Sequence, residues 1–69
     1  MKTELINALR AHAHGEIALH RANILVYLNT PVGIGEHPNI IGAMSDELDA
    51  IARYQDQLNI LEQYFKWLH

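Results

Sequence analysis

The stretch His12-Ala13-His14-Gly15-Glu16-Ile17-Ala18-Leu19-His20 gathers imidazoles and a carboxylate in one short segment. On a helix, Glu16 and His20 stand one turn apart and can share a hydrogen bond. They fall in the same stripe as Leu9 and Tyr27, with His12 at its edge. A carboxylate and an imidazole in an apolar stripe are costly unless paired. One chemistry for them is therefore structural: a buried polar pair that sets register, as polar residues do at coiled-coil core positions. The sharper alternative is a metal site, because His and Glu ligate hard and borderline ions. Here geometry limits the choice. His12 and His20 lie about 12 Å apart along a helix axis, too far to share one ion. Each helix would offer Glu16 and one His, and a second chain would have to complete the site. Di-iron bundles use Glu-x-x-His with further carboxylates, whereas this chain has Glu-x-x-x-His. The pair is expected to be structural, and no cofactor is expected.

Two other groupings invite chemistry and explain more simply. Gly33-Ile34-Gly35 lacks the third glycine and the Lys-Ser/Thr of a phosphate loop and follows no strand, so it reads as backbone freedom in a connection. Glu36-His37 has the types of an acid–base pair, but no Ser, Cys or third polar residue nearby would complete a nucleophilic site. Capping and loop hydrogen bonds account for it. No catalytic residue is assigned, and the chain is expected not to be an enzyme.

Near the C-terminus the pattern differs. Ile60, Tyr64 and Trp67 recur at helical spacing, on the side away from Leu58, Leu61 and Phe65. A segment apolar on both flanks buries two faces, and Tyr and Trp are favoured interface anchors. This stripe is the expected partner-binding site, covered by the oligomer itself or by a different protein, with simple exposure as the remaining reading.

The elements that must position these residues are helices. Residues from about 3 to 29 hold no proline, and Ile6, Leu9, Ala13, Ile17, Ile24 and Leu28 recur near a 3.6 period, with Thr3 as a candidate cap. Pro31, Gly33 and Gly35 break the pattern over 30–37. A second helix is expected over about 38 to 67, with Pro38 at its first position. Gly42 is its weak point, and Ser45-Asp46-Glu47 offers an alternative start. Its apolar stripe runs Ile41, Met44, Leu48, Ile51, then Tyr54, Leu58, Leu61, Phe65, Leu68. That stripe drifts as in left-handed supercoils, and a short connection makes neighbouring helices antiparallel. The whole chain reads as one all-α hairpin domain.

A chain of 69 residues has little core to build. It has no cysteine, which excludes disulfides and thiolate metal sites. The apolar fraction of 49% argues against disorder. Self-association is the remaining way to enlarge the core, and a dimeric four-helix bundle is the simplest closure. Net charge is −3 and the five Lys and Arg are scattered, so nucleic acid is not an expected partner. No signal peptide and no membrane span are read from the sequence.

At Ala22-Asn23-Ile24-Leu25-Val26-Tyr27-Leu28-Asn29-Thr30-Pro31-Val32-Gly33-Ile34-Gly35-Glu36-His37 the chain resembles small uncharacterised proteins of tailed phages, especially those of marine bacteria. The similarity extends through Asp46-Glu47-Leu48-Asp49-Ala50-Ile51-Ala52-Arg53-Tyr54 and covers nearly the whole chain. Pro31-Val32-Gly33-Ile34-Gly35-Glu36-His37 is its specific part; Thr30 and Pro38 depart from the Asn and frequent Ser of that group. The resemblance implies a phage origin, and hence a place in the infected host cytoplasm or in the virion, but no activity. The combined expectation is a self-associating helical protein that binds a host or phage protein. The alternatives are a metal-binding or catalytic bundle built on Glu16 and His20, and a small virion component.

Overall fold

From Lys2 to Asn29 the sequence offers no proline and a single glycine, and the segment is one continuous helix, α1 (Lys2–Asn29). A second helix, α2 (Ile40–Phe65), follows. The computed structural model describes residues 1–29 and 39–67, and these form a helical hairpin with no strand among them. The expected loop residues Pro31, Gly33, Gly35, Glu36 and His37, and the expected stripe residue Leu68, lie outside the described residues.

Local chemistry fixes the helix ends, and it differs from the expected capping at two of them. Thr3 is not the cap: the helix starts one residue earlier, with the Leu5 N–H donating to the Met1 carbonyl at 3.0 Å. At its far end the Asn29 carboxamide donates to the Leu25 carbonyl at 2.8 Å, satisfying one of the acceptors that a helix terminus leaves unpaired. The described start of α2 is capped by Asn39, whose side-chain oxygen accepts from the Gly42 N–H at 3.1 Å. This explains Gly42. A Cβ built there would fall onto the Asn39 carboxamide, 2.6 Å from its oxygen, so the apparent weak point is what admits the cap.

The helices run antiparallel: His12 of α1 lies beside Tyr54 of α2, and Asn23 of α1 bonds Glu47, nearer the start of α2. Side chains shielded between them follow alternating steps of three and four: Ile6, Arg10, Ala13, Ile17, His20, Ile24 and Tyr27 from α1, and Met44, Glu47, Ile51, Tyr54, Leu58 and Leu61 from α2. That is the spacing of two helices coiling left-handedly. It corrects part of the expected stripes. Leu9 and Leu28 sit one place off the α1 seam and are 52% and 65% exposed, and Ile41 and Leu48 are off the α2 seam in the same way.

Two helices can enclose little. Among the described residues only Ala13 and Leu61 are buried, while thirteen large apolar side chains are exposed. The accessible surface is 5403 Å². A folded monomer of this 7.9 kDa mass exposes about 4,400 Å².

Candidate functional site

The α1 seam holds apolar residues except at Arg10 and His20, and the α2 seam except at Glu47. His20 and Glu47 find each other. The Nδ1–H of His20 donates to Oε1 of Glu47 at 2.8 Å, and the Asn23 carboxamide donates to the same oxygen at 2.7 Å. A carboxylate only accepts, so this contact places the neutral ring's proton on Nδ1. The expected Glu16–His20 pair is therefore only the outer part of the cluster. Glu16 Oε2 stands 3.9 Å from His20 Nε2, beyond hydrogen-bond reach. The cross-hairpin contact prevails because Glu47 enters from the facing helix at the level of His20, with Asn23 one turn further along.

The cluster is shielded rather than sealed: the His20, Glu16 and Glu47 side chains retain 23%, 29% and 17% of their exposure. The His20 hydrogen bond holds the Glu47 carboxyl below its ordinary pKa, helped by the Asn23 hydrogen bond and opposed by burial. A carboxylate held this way is a weaker base, and its contacting oxygen is already taken by two donors. Sequence reasoning missed Glu47 and Asn23. The signal for Glu47 was present: a charged residue at a seam position, three after Met44 and four before Ile51. Ser45-Asp46-Glu47 had instead suggested a helix start, a role that Asn39 fills.

His12 is not part of this cluster. Its ring meets the Tyr54 ring edge-on, with centroids 5.6 Å apart, and the Arg53 guanidinium lies 5.3 Å from the Tyr54 centroid. The structure thus separates His12 from Glu16 and His20. Among the described residues no group of three or more His, Asp or Glu side chains is placed to hold a metal ion.

The C-terminal stripe is present and open. Ile60, Tyr64 and Trp67 are 42%, 59% and 73% exposed. Its position differs from the expected one: it flanks the hairpin seam rather than lying behind it, because Ile60 shares a groove of about 300 Å³ with Leu61, Gln57 and Leu9. Phe65, expected in the seam, is itself 40% exposed and meets the Tyr64 ring edge-on at 6.5 Å. The Trp67 indole N–H donates to the Tyr64 carbonyl at 3.1 Å, so Trp67 also satisfies an acceptor at the end of α2.

Compared with known proteins, the chain matches no family model, no curated protein and no solved structure. No helix among the described residues is long and apolar enough to cross a membrane.

Proposed function

We propose that this chain is a non-catalytic interaction protein that works as a self-associated helical bundle and engages a protein of a phage or of its bacterial host. The observation that carries the proposal is the mismatch between core and surface. Ala13 and Leu61 are the only buried apolar residues described, against thirteen exposed large ones. Burial of apolar surface is the main force holding folded chains together, and this hairpin has left most of its own unused. Soluble monomers rarely leave such surface contiguous unless something docks on it.

The polar cluster supports the non-catalytic half. His20 and Asn23 of α1 both donate to Glu47 of α2, tying the two helices together as a device for alignment does. The resemblance of the 22–37 segment to tailed-phage proteins supplies the biological setting. The test is solution mass together with thermal melting over a wide range of protein concentration. An oligomer mass, with a melting temperature that rises with concentration, is the expected result. A monomer whose melting temperature is independent of concentration would overturn the proposal.

A further inference from the structure

The self-association proposed above leaves open which face is used, and the residue spacing selects one. Next to the α1 seam runs a second series, one position earlier and with the same steps of three and four, which includes Leu5, Leu9, His12, Glu16 and Leu19. Next to the α2 seam runs another, which includes Ala50, Arg53, Gln57, Ile60 and Tyr64. A shift of one residue turns each series about 100° from its intrachain seam. A helix in a four-helix bundle packs against two neighbours about a quarter-turn apart, so it needs two such seams. The two series also lie on one side of the hairpin, since Leu9 lines the same groove as Gln57 and Ile60. Leu5, Leu9 and Leu19 are each more than half exposed there, as is Tyr64.

We propose that a second copy of this chain packs on this face, with the twofold axis parallel to the helices. Helix α1 of each copy then lies along α2 of the other, and Glu16 of each copy meets Arg53 of the other. The area fits: the hairpin exposes about 1,000 Å² more than a monomer of its mass, and each side of a standard interface buries about 800 Å².

Charge and level choose the axis. The contacts His12–Tyr54 and His20–Glu47 place residue 16 level with residues 50–51 of the facing helix. A parallel axis therefore brings Glu16 within about one helical turn of Arg53 in the other copy. It also sets Leu5 and Leu9 against Ile60 and Tyr64, joining the apolar ends. The other face-to-face arrangement, with the axis across the helices, lays α1 on a reversed α1. Glu16, midway along α1, would then face the other Glu16, and like charges in close apposition are costly. Neither charge is tightly held within the hairpin. Glu16 stands 3.9 Å from His20 Nε2, and Arg53 is exposed above the Tyr54 ring.

Sedimentation equilibrium on the full chain tests this, with helicity read by circular dichroism on each variant. Leu9→Lys, at a site outside the intrachain seam, is expected to keep its helicity and weaken the dimer at least about tenfold. Glu16→Arg and Arg53→Glu are each expected to weaken it about tenfold, because symmetry doubles every pair. Combining both reversals in one chain should restore dimerisation to within about threefold of the original. A wild-type monomer would overturn self-association itself. A wild-type dimer unaffected by Leu9→Lys would overturn this face and leave self-association standing. If Glu16→Gln tightens the dimer, or the double reversal stays as weak as the singles, the axis is wrong. A stable trimer or tetramer overturns the arrangement as well.

Discussion

The two ends of the interhelical seam are held by different means. Toward the termini the seam is lined by apolar Ile6, Ala13, Leu58 and Leu61, and both buried residues, Ala13 and Leu61, lie there. Toward the connection, His20 and Asn23 of α1 both hold Glu47 of α2, and Ile17, Ile24 and Ile51 of the same stretch of the seam are half-buried. Apolar contact is strong but indifferent to register, because a Leu slides past an Ile at little cost. A hydrogen-bonded carboxylate adds modestly to net stability but is costly to misplace, because a slipped register leaves its donors unpaired. The apolar end therefore supplies most of the stability, and the polar end fixes the alignment.

Substitutions sharpen that division. The largest effect is expected at Leu61, where truncation to Ala removes the largest buried side chain of the apolar end. Leu61→Ala should cost about 2–3 kcal/mol, measured by denaturant titration at fixed protein concentration. A loss under about 0.5 kcal/mol would break the claim that this end carries the stability. Arg10 is the exception within the apolar end. Its Nη1 donates to Asn7 at 3.1 Å, but its Nη2 is buried with no hydrogen-bond partner among the described residues. An orphaned buried donor is a net cost, so Arg10→Leu should raise stability by about 1 kcal/mol in the same titration.

The smallest effect belongs to the polar end, and pH reads it. The Glu47 pKa is lowered in the folded hairpin, principally by the His20 hydrogen bond. Its contribution is therefore fully present above the unfolded carboxyl pKa of about 4.3 and is lost as pH falls through the lower folded value. Glu47→Gln should lower stability modestly near neutral pH, converge with the original at low pH and so flatten the acid limb in that window. An acid limb identical in the two proteins would remove Glu47 from the account.

The sequence by itself determined the two helices. An unbroken run of helix-compatible residues, a proline- and glycine-bearing break, and apolar recurrence near 3.6 are local properties, so they survive without knowledge of neighbours. It also marked His20 and Glu16 as polar residues out of place. Only the tertiary structure decided which partner His20 takes, because Glu47 is distant in sequence and reaches it through the alignment of two separate helices. The same holds for the seam. A residue step of 100° and a wide apolar arc leave several faces eligible on each helix, and Leu9, Leu28, Ile41 and Leu48 each belonged to one of them. Packing against a second helix picks a single line, anchored at Ala13 and Leu61, and turns the rest outward.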